Sequence, residues 1–501
     1  MISKSKIKTD VCLILEGTYP YIYGGVSSWA HELIKNHPQL TFSLASIVPP
    51  DQQLQVKYEV PDNVLEIKTI YLHRLQKEKI SFNFKRKKEH LKNISSLLNA
   101  IFNDRNLDAF GKLVEYFNCN HDKIGRRLLI DSKLVWDVIE LMYNNCMKNS
   151  SFLDYFWSWR SLFGGLFTIL LSELPDAECY HSLCTGYAGL MLARASFETN
   201  KPCLVTEHGI YTNERRIEIA TAEWLYDQTE FSLSIKSINS NTGLHGMWTD
   251  TFAIYSEFCY KISEYIITLY EGNRELQIYD GAPIVKTKVI PNGIDYERFS
   301  IIKRIPHTQP TIALIGRVVP IKDIKTYIKA VMHVRRAVPS VNALIMGPTD
   351  EDSEYYNECV SLINDSGLQK SITFTGRVKI DDYLGKIDLI VLTSLSEAQP
   401  LVILECGAAG IPTVATNVGS CNELINGKEE ENPQLGPGGA VTSLSNPKAT
   451  AAQIVKLLTD YTYYDKCSAA IKSRVFQYYK IEDQHNAYTE IYSNLLNRKD
   501  L

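Results

Sequence analysis

The run Leu389-Ile-Val-Leu-Thr-Ser-Leu-Ser-Glu-Ala-Gln-Pro-Leu-Val-Ile-Leu-Glu-Cys-Gly-Ala-Ala-Gly-Ile-Pro412 decides the fold. Its first five residues form a continuous apolar segment, the pattern of a parallel strand buried on both faces. Pro400 is a favourable first helical residue, and Gly410 with Pro412 closes the helix. The turn between them therefore lies at a strand's carboxyl end, where open α/β sheets bind their ligands. The unpaired backbone N–H groups in the stretch 400 to 402, those of Leu401 and Val402 since Pro400 carries none, would face a phosphate there. Glu397 stands before the helix and Glu405 inside it. An ionised carboxylate only accepts hydrogen bonds, so the pair suits hydroxyl donors such as a ribose diol and a sugar ring. The stretch reads as half of a nucleotide-sugar site.

Upstream, residues 311 to 315 read as a strand, followed at once by Gly316-Arg-Val-Val-Pro-Ile-Lys-Asp323. Arg317 and Lys322 thus share one loop at a strand's carboxyl end. Two cations suit a diphosphate, Arg317 as a bidentate grip and Lys322 as a mobile point charge. The plainer reading is two surface cations capping a loop. Strand and helix alternate from here on: helix 323–337, strand 343–346, helix 354–368, strand 372–374, strand 388–393, the Glu-bearing helix, then strand 413–416. Residues 300 to 310 carry two prolines and no apolar period, which places the interdomain link there.

The amino-terminal half opens as βαβ, with strand 11–15, Gly-rich turn 16–25, helix 26–35 and strand 42–48. In that turn, Gly24 and Gly25 permit close approach of a ligand to a helix start, or simply make a tight turn. The GxGxxG dinucleotide spacing is missing. Residues 80 to 160 read as a helical insertion, with apolar periodicity at Leu91, Ile94, Leu97, Leu98 and Ile101. Alternation resumes at 179–181, 186–195, 203–206 and 265–269. His208 follows the strand 203–206, where it either projects into a cleft or is structural. Glu207 either orients that imidazole or is a solvated loop residue.

At 501 residues the default is two large domains, and 45% hydrophobic with 22% charged residues describes an ordinary globular chain. Two sequential α/β halves imply doubly wound parallel-sheet domains facing across a cleft, over residues 1–299 and 300–475. A closing helix in 476–501 packs back on one of them. A net charge of −4 gives no basic footprint for nucleic acid, and Lys85-Arg-Lys-Lys88 reads as a solvated face. Eleven cysteines without paired CxxC spacing point to reduced thiols and a cytosolic compartment, not to zinc or disulfides. The basic start Met1-Ile-Ser-Lys-Ser-Lys-Ile-Lys8 lacks a signal-type apolar region, and Leu162 to Leu171 is too short to span a membrane. Asp350-Glu-Asp352 and Asp381-Asp382 read as helix starts, not metal ligands. Tyr155-Phe-Trp-Ser-Trp159 reads as core, or as a platform for an acceptor or partner.

The Arg-x4-Lys pair and the Glu-x7-Glu spacing together resemble the retaining glycosyltransferases of family 4, and matching segments run from residue 10 to 495. The opening Leu15-Glu-Gly-Thr-Tyr-Pro-Tyr-Ile-Tyr-Gly-Gly-Val-Ser-Ser-Trp29, the insertion, and Thr206-Glu-His-Gly-Ile-Tyr211 look like the branch serving Pel exopolysaccharide synthesis in biofilm. The resemblance implies the GT-B architecture of two facing Rossmann-like domains, a UDP-sugar donor, and retention of anomeric configuration without a metal or other cofactor. It makes Arg317 and Lys322 the diphosphate ligands, Glu405 the ribose ligand, and Glu397 and His208 contacts to the donor sugar. Gly24 and Gly25 would approach the donor phosphate and acceptor. Arg377 and Val378 would border the uracil, and Gln399, Pro400, Leu401 and Val402 would line the donor. Relatives often carry Gly-Phe-Gly where this chain has Ala398-Gln-Pro400, which reopens the choice of sugar. The implied partners are a growing polysaccharide and a membrane-embedded Pel complex, met by a cytoplasmic protein at the membrane's inner face, with the insertion as docking surface. A UDP-sugar epimerase and a silent nucleotide-sugar-binding subunit are the competing readings.

Overall fold

A computed structural model describes residues 7–50, 54–79, 84–146, 151–221 and 243–497. The chain forms two compact units, one of Met1–Val289 with Thr489–Leu501, the other of Ile290–Tyr488. The division falls ahead of the link expected at 300–310. That segment lacks an apolar period because polar contacts bind it to the second unit. Ile305 N–H donates to Gly385 O at 2.6 Å, His307 Nε2 lies 2.8 Å from an Asp388 oxygen, and Arg304 pairs with Asp388. The carboxyl-terminal stretch is two helices, Tyr461–Tyr478 and Ile481–Leu496, and its end belongs to the first unit. There Thr489 Oγ1 meets His37 Nε2 at 3.1 Å, and Tyr492 OH meets His181 Nδ1 at 2.8 Å.

The first unit is built on one parallel sheet of β1 (Lys8–Glu16), β2 (Phe42–Val48), β3 (Val64–Tyr71), β4 (Asp176–Ser182), β5 (Cys203–Glu207), β6 (Tyr265–Thr268) and β7 (Thr287–Val289), in the order β3-β2-β1-β4-β5-β6-β7. Val11 of β1 is opposite Phe42 on one side and Cys179 on the other. Strand order reverses between β1 and β4, so the ligand crevice of such a sheet opens beyond Glu16 and Ser182. Every residue of β2 and β5 is buried, as strands covered on both faces require. The insertion is helical: Phe84–Asp104, Leu107–Cys119, Arg126–Leu129, Lys133–Cys146 and Phe152–Leu171. Leu91, Ile94, Leu98 and Ile101 face its core, and Leu97 is partly buried against it. The last of these helices takes in the apolar run at 162–171, where Leu162, Leu166 and Leu170 are buried. In the aromatic run, Tyr155 and Trp159 are core and Trp157 is exposed. Met1 to Lys6 of the basic start, and residues 80–83 and 147–150 of the insertion, lie outside the described residues. Among the described residues no helix is long and apolar enough to cross a membrane. Ten of the eleven cysteines, Cys146 set aside, are free, and eight of these are buried, as small apolar residues of a packed interior.

The second unit repeats the plan with β8 (Thr311–Ile315), β9 (Asn342–Met346), β10 (Ile372–Gly376), β11 (Leu389–Leu392), β12 (Thr413–Thr416) and β13 (Gly439–Thr442), all parallel, in the order β10-β9-β8-β11-β12-β13. The deciding apolar run is β11, buried at all four positions. Reversal between β8 and β11 sets the loops after these two strands side by side. At the same end of the sheet Gly347 has φ +156°, and a Cβ on it would stand 2.0 Å from Gly316 O. Only glycine allows the loop after β9 to lie that close to the loop after β8.

Candidate functional site

In the second unit, the loops after β8 and β11 are laced together by backbone contacts. Thr393 Oγ1 donates to Lys322 O and Asp323 O at 3.1 and 2.9 Å, and Leu395 N–H donates to Ile321 O at 2.8 Å. This lacing brings Lys322 Nζ within 2.5 Å of Glu397 Oε1, which also accepts the Ser394 hydroxyl at 2.6 Å. The Lys322 and Glu397 side chains are only 19% and 12% exposed, so their charges are partly desolvated. The Lys322 stem passes over Gly316, where an added Cβ would lie 3.5 Å from Cε. Arg317 is handled differently: its guanidinium is exposed and paired with Glu351 at 2.8 Å. The structure thus brings Lys322 and Glu397 together and leaves Arg317 on a separate ion pair.

The helix after this loop is Leu401–Ala408. Pro400 is its N-cap, with φ −73° and ψ 110°, and not its first helical residue. Proline has no N–H, and Ile403 N–H already donates to Pro400 O at 3.1 Å, so Leu401 and Val402 are the amides left for an anion. Gly410, at φ +77°, closes the helix, with Ile411 N–H donating back to Cys406 O at 2.9 Å. Gln399, placed by resemblance among the donor ligands, is buried and accepts Asn292 N–H at 2.6 Å. Burial pushes the Glu405 carboxyl upward, against the pull of Arg298, which itself forks onto both oxygens of Asp381 at 2.9 Å. Arg377 is exposed, whereas Val378 packs on the second unit's core. Sequence reasoning missed Gly419, at φ +53°, where a Cβ would stand 2.1 Å from Glu397 O. Ser420 N–H beside it donates to Ala398 O at 2.9 Å, so this glycine loop props up the Glu397 turn. A glycine just after the strand 413–416 was the available signal.

In the first unit, a cavity of about 680 Å³ opens at the carboxyl ends of β1, β2, β4 and β5. Tyr187, Tyr211 and Phe252 give it aromatic walls, and Glu16, Thr18 and His208 give it polar groups. Glu16 is already engaged, accepting from Tyr211 OH at 2.8 Å and Ala188 N–H at 3.1 Å. His208 is buried edge-on against the Trp29 ring, 4.8 Å between centroids. Burial lowers its pKa to about 4, so the imidazole is neutral at pH 7. Both His208 ring nitrogens and Thr18 Oγ1 are buried with no hydrogen-bond partner among the described residues, and buried polar atoms of this kind mark a place for a ligand or water. Thr18 carried no sequence signal apart from lying in the Gly-rich turn.

Glu207 neither orients His208 nor meets solvent. It is fully buried and accepts from Tyr260 OH at 2.6 Å, Thr185 Oγ1 at 2.9 Å and Gln277 Nε2 at 3.0 Å. It is a structural node at the end of β5. Gly24 is the N-cap of the helix Gly25–Lys35, and no atom lies within 4 Å of a Cβ added to either glycine. Their surroundings are open, so local packing does not demand glycine there.

Residues 9–284 match the family model described as a domain of unknown function, DUF3492, and residues 295–474 match the model for glycosyl transferases group 1. The UDP-Gal:alpha-D-GlcNAc-diphosphoundecaprenol alpha-1,3-galactosyltransferase of Escherichia coli is 26% identical over 276 residues, 52% of this chain and 62% of that protein. The chain therefore spans less than two thirds of that relative. The lipopolysaccharide core biosynthesis mannosyltransferase LpsB of Rhizobium meliloti (strain 1021) is 24% identical over 307 residues, 59% of this chain and 81% of LpsB. Among solved structures, Anabaena HepE in complex with UDP superposes with a TM-score of 0.59 at 15% identity, covering 97% of this chain and 100% of that one. Sucrose-phosphate synthase from Thermosynechococcus elongatus gives 0.59 at 14% identity, over 97% and 99%. These likenesses identify the fold as GT-B.

Proposed function

The chain belongs to the DUF3492 family and carries a group 1 glycosyltransferase domain behind it, and from that premise we propose that it is a retaining, metal-independent glycosyltransferase that uses a UDP-sugar. The observation that carries this reading is the Lys322–Glu397 contact at the carboxyl end of β11, ahead of two free helix amides. A diphosphate arriving there competes with Glu397 for the ammonium. Lys322 then stabilises the charge that develops on the leaving phosphate, with the Leu401 and Val402 amides aimed at the same anion. Glu397, released, accepts hydroxyls of the donor sugar, and Glu405 those of the ribose. With the leaving phosphate oxygen taking the acceptor's proton, no protein base is required, and the cationic charge a metal would supply comes from Lys322 and Arg317. The relative that uses UDP-Gal supports a uridine donor. His208 is kept as a contact to the donor sugar, and the aromatic walls and Thr18 hydroxyl of the first unit's cavity, which Glu214 and Arg215 also line, suit a sugar acceptor.

The finer reading is a PelF-like role, extending an exopolysaccharide at the cytoplasmic side of a membrane complex. It is supported by the amino-terminal motif, the helical insertion and the Thr206–Tyr211 segment. The test is UDP release by the purified protein from UDP-glucose, UDP-N-acetylglucosamine and UDP-N-acetylgalactosamine, in chelator, with Glu397→Ala as control. Selective release lost in the variant is the expected result. Conversion of the donor to its epimer without any acceptor would favour an epimerase. UDP binding without release from any donor, even with oligosaccharide acceptors, would favour a silent subunit.

A further inference from the structure

Gln399 lies in the turn between Glu397 and the helix Leu401–Ala408, and its side chain is turned toward the protein's own backbone. Its Oε1 accepts Asn292 N–H at 2.6 Å, and the residue is 7% exposed. Asn292 lies in Ile290-Pro-Asn-Gly-Ile294, the segment by which the chain enters the second unit from β7. That segment is held firmly on its far side. Gly293 N–H donates to Gln484 Oε1 at 2.6 Å, and Ile294 exchanges backbone bonds with Tyr479 and Ile481, each at 3.0 Å. A Cβ on Gly293 would stand 2.4 Å from Lys480 O, so the strip sits against 480–481 as closely as backbone allows. Gln399 is therefore a tie from a fixed strip to the turn that bears Glu397. The next residue is Pro400, whose ring fixes φ, so a displaced Gln399 carries the Leu401 and Val402 amides with it.

We propose that Gln399 is a positioning residue: its side-chain carbonyl, through Asn292 N–H, sets the place of Glu397 and of the two helix amides, and thereby the hold on the donor. The inference rests on reading that turn as the donor site. The Gln399 oxygen is committed to the backbone, and no direct contact to the sugar is required of it.

The experiment uses the full chain and two variants. Gln399→Met keeps the length of the side chain and removes the acceptor; Gln399→Glu keeps an acceptor oxygen. Hydrogen exchange by mass spectrometry follows the peptides covering 290–294 and 395–402, and calorimetry follows UDP. One hydrogen bond of ordinary strength predicts exchange about tenfold faster in both peptides of Gln399→Met, with UDP affinity reduced about fivefold to tenfold. Gln399→Glu, which keeps the acceptor, should stay within about twofold of the parent in exchange over both peptides, so that faster exchange there as well would overturn the tie. Unchanged exchange in Gln399→Met overturns the tie. Faster exchange with unchanged UDP affinity overturns the positioning role and leaves a purely structural bond. If the parent protein binds no UDP, the donor reading fails on its own account, and exchange over 395–402 still decides whether Gln399 holds the turn.

Discussion

Replacing Lys322 by alanine separates a catalytic cation from a structural one. The ammonium is 2.5 Å from Glu397 Oε1, and both side chains are mostly buried. Its removal does not strand Glu397, because the Ser394 hydroxyl still donates to the same oxygen at 2.6 Å. The loop backbone is held independently by the Thr393 hydroxyl and by Leu395 N–H. The stability cost should therefore be about 1 kcal/mol, near the upper end for an accessible pair, and not the larger penalty of an orphaned buried charge. For a unit of this size that lowers the melting temperature by about 2–4 °C. Loss of a preorganised charge partner for the leaving group is a different order of effect. By comparison with removal of a single oxyanion donor it amounts to about 3–4 kcal/mol in the transition state, or a hundredfold to a thousandfold in turnover. The assay is UDP release at saturating donor beside a thermal melt of the same preparation, with Lys322→Arg as a charge-retaining companion expected to fall between the two. A folded Lys322→Ala protein with turnover within threefold of the parent would refute the role. So would a collapse in melting temperature large enough to explain the lost activity.

Three further outcomes test other parts of the site. His208 has its pKa lowered from 6.5 to about 4 by burial, so the unfolded chain binds a proton more readily than the native one. Native stability is then fully present above pH 6.5 and lost as pH falls toward 4, by about 3 kcal/mol for this group; His208→Phe should flatten that part of an acid denaturation series, and equal slopes would count against it. Gly419→Ala forces a side chain to φ +53° and to 2.1 Å from Glu397 O, which should displace the turn and weaken UDP binding tenfold or more; calorimetry at parent-like affinity would contradict this. Glu351→Ala frees Arg317 from an exposed pair worth about 0.2–1 kcal/mol, predicting UDP affinity tightened up to about fivefold, whereas weakened affinity would show that Arg317 is not a phosphate ligand.

Much of this was readable in the chain, for identifiable reasons. β2, β8 and β12 were bounded to the residue, since a strand buried on both faces leaves an uninterrupted apolar run between polar turns. β3 escaped notice because it is an edge strand, half-exposed along Val64–Tyr71, with Glu66 and Lys68 breaking any apolar pattern. β13 opens at Gly439, where a Cβ would strike Thr413 O at 1.9 Å; the glycine needed for that close approach reads in sequence as loop. Lys322 and Glu397 stood out because each is a charge in a loop at a strand's carboxyl end, and the structure brings the two side chains into contact. Glu207 was misjudged, and the Gln399–Asn292 bond went unforeseen, because local sequence does not reveal a partner 70 or 107 residues away, such as Gln277 or Asn292.

The division of charge between the two units bears on which substrate each is suited to hold. In the second unit the candidate ligands are held in ion pairs, Lys322 with the candidate Glu397 and Arg317 with Glu351, which is not itself a candidate. A site of this kind admits an anion by exchange of partners. The incoming diphosphate must outbid a carboxylate for the same cation, and each carboxylate so released becomes an acceptor for hydroxyls on the same molecule. A nucleotide-sugar supplies both the phosphate and the hydroxyls, whereas a bare phosphate leaves the freed carboxylate beside it as a like charge. The first unit's cavity is lined by Glu214 and Arg215 as well, and it adds groups that carry no charge. His208 is neutral, and the Glu16 carboxylate is engaged by Tyr211 OH and Ala188 N–H. The unmet groups there are the Thr18 hydroxyl and the imidazole nitrogens. Such groups bond an uncharged hydroxyl without requiring a charge to be desolvated, and the aromatic walls offer a flat apolar surface to a sugar ring. The ion pairs of the second unit thus fit the proposed nucleotide-sugar, and the uncharged unmet groups of the first fit the proposed saccharide, in a cavity that Glu214 and Arg215 also line. That assignment follows from the side chains of each unit taken separately, and it agrees with a transfer in which the anion stays behind and a neutral sugar moves.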